Sequence, residues 1–298
     1  MPERADYVRE PAVAGQFYAG SSGRLRDEVA AAFRHRLGPG DLPELADAGP
    51  RDLIALVSPH AGYMYSGPAA AHGFAALAAD GSPDIVVILG PSHRGGGAPI
   101  AVSGASAWRT PLGEVPVETE LSRRLAEATG AAIDDSAHAA EHSLEVQVPF
   151  LQALLGEGWR LVAAVIADHR PAPLRRFGEG LADVLQGLNA LIVASTDFSH
   201  YVPQAMAEEN DRLAIDAILN LDGDGLLATV DRHGISMCGA APVAATLFAA
   251  CRMGARSARL LRYCTSGDTS GDYSAVVGYA SIAISRAAQG AAEKGGQE

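Results

Sequence analysis

Cysteine is scarce in this sequence. There are three in 298 residues, Cys238, Cys251 and Cys264, an odd number with no CxxC spacing. A disulfide framework and a structural zinc site are both disfavoured, and a reducing cytoplasm is the expected setting. Basic clusters are missing too: 23 Lys and Arg stand against 35 Asp and Glu, for a formal charge of −12. Nucleic acid and anionic membrane are therefore not expected partners. No apolar run approaches the ~18 residues of a membrane span, and MPERADYVREPAVAG lacks the apolar core of a signal peptide. P-loop, HExxH and zinc-deaminase patterns are absent; GISMC (234–238) misses the second glycine of a nucleophile elbow. GGGAP (95–99) is not GxGxxG and reads as a turn or a close backbone approach.

What is present is alternation. With 48% hydrophobic residues the chain can bury a sizeable core. Strand-like runs rich in Val, Ile and Leu fall at 53–57, 85–89, 99–102, 161–166, 191–195, 259–264 and 275–284. Helix-like stretches fall at 22–37, 67–79, 118–129, 143–155, 173–187, 204–219, 224–232 and 240–253. The pattern predicts a single α/β domain over 9–286, with a central, largely parallel sheet flanked by helices and the last two strands antiparallel at an edge. Residues 38–50 read as a surface loop, 1–8 as a flexible N-terminus and 287–298 as a disordered tail.

Three strand-like runs end in a small polar residue and then a histidine. LIALV leads to His60, IVVIL to His93, and LIVAS to Asp197 and His200. Ligands of open parallel sheets bind outside the carboxyl ends of the strands, so these residues can share one crevice. A lone loop histidine is more often structural than a ligand; three after three separate strands reverse that expectation. Cys238 precedes a helix-like run, where a thiolate would be favoured and could ligate a metal. Cys251 and Cys264 read as buried, inert thiols, and Met237 as core. In AEHSLEVQVPFL, Ser143 is placed to cap a helix and Glu145 to complement its dipole, while His142 could support a ligand or move a proton. His35, His72, His138, His169 and His233 have no strand-end context and read as structural or surface positions.

REPAVAGQFY (9–18), SPHAGYMYSG, ILGPSHRG, WRTPLGEVPV, EHSLEVQVPFL, STDFSHY and MCGAAPV occur in this order from about residue 9 to about 284. Together they resemble the Memo family, whose bacterial members are called AmmeMemoRadiSam system protein B. That family resembles class III, LigB-type extradiol dioxygenases in fold. The resemblance implies a metal at His60, His93 and Cys238, with Asp197 and His200 as further site residues and His200 in the place of the dioxygenases' base. Dioxygenase iron has two histidines and a carboxylate; here the third position reads as Cys238, a softer ligand. Fe(II) is favoured, with Cu or Zn as alternatives. The expectation is a non-haem metal-dependent oxidoreductase with His200, Asp197 and His142 as catalytic groups, acting on a small molecule or peptide in the strand-end crevice. The alternative is a non-enzymatic metal, redox or peptide-binding protein working with AMMECR-type and radical-SAM proteins.

Overall fold

A computed structural model describes residues 7–287. The expectations for residues 1–6 and 288–298 lie outside the described residues. Twelve strands are present among the described residues: β1 Val8–Arg9, β2 Leu53–Ser58, β3 Ile85–Pro91, β4 Ile100–Val102, β5 Ala107–Thr110, β6 Gly113–Pro116, β7 Ala132–Ile133, β8 Arg160–Ile166, β9 Ala190–Ser195, β10 His200–Val202, β11 Ser257–Thr265 and β12 Val276–Ser285. The apolar runs β2, β9, β3 and β8 lie side by side in that order, all parallel. Antiparallel strands extend this core on both flanks. β12 pairs with β2, β10 and β11 on one side, and β4 pairs with β8 on the other.

The runs lack polar alternation because both faces are covered. Ile54, Val87, Val162 and Ile192 point to one core, where Leu174 and Phe177 of helix Pro171–Val184 and Leu247 of helix Ala240–Arg252 pack. Leu56, Ile88, Ala163 and Val193 point to the other, against Phe33, Phe74 and Phe150. Burial on this scale, at about 25 cal/mol per Å² of apolar surface, is what holds the sheet between its helices. No helix among the described residues is long and apolar enough to cross a membrane.

The sequence did not announce a separate three-stranded sheet of β1, β5 and β6. β1 joins β5 in parallel, with Arg9 opposite Trp108 and its guanidinium 4.5 Å from that ring. Two expectations are corrected. The helix expected at 143–155 begins at Val148, after a 3₁₀ turn at Glu145–Gln147, and Ser143 caps nothing: its hydroxyl donates to the carbonyl of Pro91. Cys251 is exposed, because it falls on the outward face of the last turn of its helix, whereas Cys264 is buried as expected.

Candidate metal centre

The parallel strands end together, and the residues just beyond them meet. His60 follows β2, His93 follows β3 and Asp197 follows β9. The segment carrying His142 is drawn across these ends by its neighbour: Ser143 donates to Pro91 O at the end of β3 and accepts at its own carbonyl from Ser195 Oγ at the end of β9 (2.6 Å). This close approach requires a bare backbone at Gly90, where a Cβ would lie 2.5 Å from Leu144 Cδ1 and 2.7 Å from Ser143 Oγ. Ring centroids are then 5.2 Å apart for His60 and His93, 5.5 Å for His60 and His142, and 4.5 Å for His93 and His142. One ring nitrogen from each of the three lies within 4.8 Å of the others, a group that could hold a metal ion.

Hydrogen-bond inventory sets which nitrogen is available. Ser195 Oγ gives its only proton to the Ser143 carbonyl and accepts from Gln147 Nε2 at 2.9 Å, an amide whose orientation is fixed by its second bond to Pro59 O. Ser195 can therefore only accept from His60 Nδ1, 2.9 Å away, which leaves the Nε2 lone pair of His60 unprotonated. His93 is fixed the same way. Its Nδ1 donates to Glu141 Oε1 at 2.9 Å and its backbone N–H to Glu141 Oε2 at 2.6 Å. Burial pushes the Glu141 carboxyl up, but these bonds and that from Ser143 N–H outweigh it and hold it well below the usual range. A carboxylate behind an imidazole is a recurring support of metal-ligating histidine. Burial lowers His60 well below its ordinary value and lowers His142 to about 4, so both are neutral and able to ligate. His142 Nδ1 lies 3.4 Å from Glu141 Oε1 but is not aligned for a hydrogen bond, leaving a buried nitrogen without a partner. The donor set thus fits a metal ion.

Cys238 sits beside the group, with Sγ 3.2 Å from His60 Nε2 and 3.2 Å from the Asp197 N–H that donates to it. Gly239 makes room for this: a Cβ there would be 2.4 Å from Thr196 Cβ and 2.5 Å from Ser195 O. The helix N-terminus does not make a ready thiolate, because burial and then the nearby Asp197 push the thiol up. Asp197 is buried, accepts the His60 N–H at 2.8 Å and is raised to about 6 chiefly by burial. His200 donates Nδ1–H to Ser236 O at 2.7 Å, which leaves Nε2 as the ring nitrogen free of that bond. A cavity of about 590 Å³ opens over the site, lined among others by His60, His93, His142, Asp197 and His200.

All six residues singled out by sequence therefore lie at or beside one crevice. The geometry groups the rings of His60 and His93 with His142, and sets Cys238 against His60. Two functional residues escaped the reading. Glu141 supports His93, and only its place beside His142 hinted at a role. Glu145 stands in the first turn of its 3₁₀ helix but does more than complement a dipole: it is buried, paired with Arg9, and accepts from Ala12 N, Val13 N and Tyr18 Oη. It ties the segment 9–18 to the site, where Phe17 packs 4.7 Å from the His142 ring. His138 is fully buried, bonded through Nε2 to Ala101 O, a structural position as expected.

The fold and site define a protein class: an α/β domain with a histidine group fit for a metal at the carboxyl ends of its parallel strands. The chain belongs to the Memo-like protein family, whose profile matches residues 9–283. A MEMO1 family protein of Methanopyrus kandleri is 50% identical over 281 residues, covering 93% of this chain and 99% of the relative. MEMO1 family proteins of Sulfolobus acidocaldarius and Ignicoccus hospitalis are 43% and 42% identical, each covering 92% of this chain and 98% of the relative. The crystal structure of an uncharacterized protein from Escherichia coli K12 matches with a TM-score of 0.54 at 17% identity, over 78% of this chain and 99% of that one, which bears on fold alone.

Proposed function

We propose that this protein is a non-haem metal-dependent oxidoreductase of dioxygenase type, with its metal held by His60, His93 and Cys238. The observation that carries this reading is the proton inventory. Two imidazoles have their Nδ1–H groups committed to acceptors behind them, which leaves Nε2 of each as the atom to offer an ion, in rings that border one cavity. The 3.2 Å between Cys238 Sγ and His60 Nε2 is close to the roughly 3.6 Å expected of two tetrahedral ligands with typical thiolate and imidazole bond lengths. A protonated thiol there has the Nε2 lone pair at 3.2 Å and Asp197 O at 3.5 Å as acceptors, and a cation would replace its proton. His142 is the alternative third donor, favoured by its unpartnered nitrogen and its grouping with the other two rings.

Bound Fe(II), the favoured ion, would supply redox and Lewis-acid chemistry; a thiolate-containing set also suits Cu(I) or Zn. The chain's own groups do the rest. His200 offers Nε2 as a base for a substrate hydroxyl, with its ring oriented by Ser236 O. Asp197, raised to about 6, can hold or release a proton near neutral pH. Phe17 and the segment 9–18 cover His142 and limit water. The test is oxygen uptake by Fe(II)-loaded protein with a panel of catechols. Uptake that disappears in His200→Ala while iron is retained is the expected result. Iron-loaded wild type that consumes no oxygen with any catechol would turn the reading to a non-enzymatic metal protein. Metal affinities of Cys238→Ala and His142→Ala identify the third donor by which variant loses the ion.

A further inference from the structure

The cavity has a composition that the metal centre does not explain. Its lining holds four aromatic side chains, Phe17, Tyr65, Tyr201 and Tyr279, two carboxylates, Asp197 and Asp272, and no Lys or Arg. A ligand with negative charge at its outer end would meet no cation there. The volume of about 590 Å³ is that of a small-molecule site. Tyr201 has φ +57°, a conformation that is an outlier for a bulky side chain. The residue is 78% exposed, so packing does not offset that strain. The strain comes from β10, which shifts register against β12 between His200 and Val202 and leaves the Tyr201 ring 6.0 Å from the His200 ring at the cavity. Backbone strain of this kind is held by the surrounding structure and clusters at ligand sites. Asp272 is held on the same lining by the Ser274 backbone N–H (2.9 Å) and hydroxyl (2.6 Å), both donating to Oδ1. Those bonds keep its carboxyl below the usual range and therefore ionised.

We infer that Tyr201 and Asp272 form a recognition rim for the ammonium group of a small organic amine whose other end reaches the histidines. An aromatic face and a carboxylate are the two groups that favour an organic cation over its neutral and anionic analogues. The inner end of this ligand rests on the proposed metal reading; the rim does not. The test accordingly uses protein kept in chelator, so that failure to take up metal leaves its outcome untouched. Phenethylamine, 2-phenylethanol and 3-phenylpropionate are titrated by calorimetry at millimolar concentration. At low salt the amine should bind about tenfold tighter than the carboxylate, with the alcohol between them and the preference shrinking at high salt. Asp272→Asn should cut the amine-to-carboxylate ratio to about twofold. Tyr201→Asn should weaken the amine about threefold while the melting temperature holds or rises, because Asn tolerates this backbone conformation. Overturning results are a carboxylate that matches the amine, no saturation by any of the three, or a ratio unchanged in Asp272→Asn. A Tyr201→Asn protein that melts lower yet binds the amine as well as wild type would make Tyr201 a packing residue and also overturn it.

Discussion

Replacing Glu145 by Gln tests how the N-terminal segment is held over the site. Glu145 and Arg9 are both 1% exposed and form an ion pair. The carboxylate also accepts from Ala12 N (2.8 Å), Val13 N (3.1 Å) and Tyr18 Oη. Gln keeps the shape and one acceptor oxygen but removes the charge, so the Arg9 guanidinium stays buried without a counter-ion. Its remaining partners are two carbonyls, His138 O and Glu141 O, and the Trp108 ring. Removing one member of a buried pair costs about 3–5 kcal/mol. In a chain of this size that is a fall of roughly 5–8 °C in melting temperature. The comparison is Arg123→Ala, which breaks an exposed pair with Glu120 and should cost under about 1 kcal/mol. Urea unfolding followed by circular dichroism measures both. A loss below about 1 kcal/mol in Glu145→Gln would refute the claim that this charge organises residues 9–18.

Three further outcomes follow. Glu141→Gln keeps the bulk behind His93 but loses the charge, and should weaken metal affinity about 10–100-fold by competition titration with little change in fold; equal affinity would remove Glu141 from its supporting role. Gly239→Ala puts a methyl within 2.4 Å of Thr196 Cβ and 2.5 Å of Ser195 O, and should cost about 1–3 kcal/mol and displace Cys238; a melt like that of wild type would contradict the tight approach. His138 is lowered from 6.5 to about 4 by burial, so between these values the unfolded chain binds the proton and the folded one rejects it. Its contribution, on the order of 3 kcal/mol, is present above about pH 6.5 and is lost as pH falls to about 4. Asp197, raised to about 6, works in the opposite direction over its own range. Urea midpoints against pH should be less steep in His138→Gln, and identical slopes would refute the assignment.

The parallel core was legible because its strands are unbroken apolar runs of six or seven residues, and the site because its residues follow them directly. β1, β5, β6 and β10 were not legible, since two to four residues carry too little periodicity to separate a strand from a loop. The larger role of Glu145 was hidden because an acid near a helix start has a local explanation, whereas its ion-pair partner, Arg9, lies 136 residues away. Glu141 stayed obscure for the same reason, its bond to His93 spanning 48 residues. Ser195 looked like a strand end and is the group that fixes the proton on His60.

The central claim, that His60 and His93 offer their Nε2 atoms to one ion, is tested most directly by metal content. Wild type, His60→Ala, His93→Ala and the control His72→Ala, whose ring bonds Leu37 O away from the crevice, are purified anaerobically, offered Fe(II) and desalted. The account predicts about one equivalent of bound metal in wild type and His72→Ala, and a loss of at least about tenfold in affinity for the other two. Equal metal content in all four proteins, or none in wild type, would contradict it.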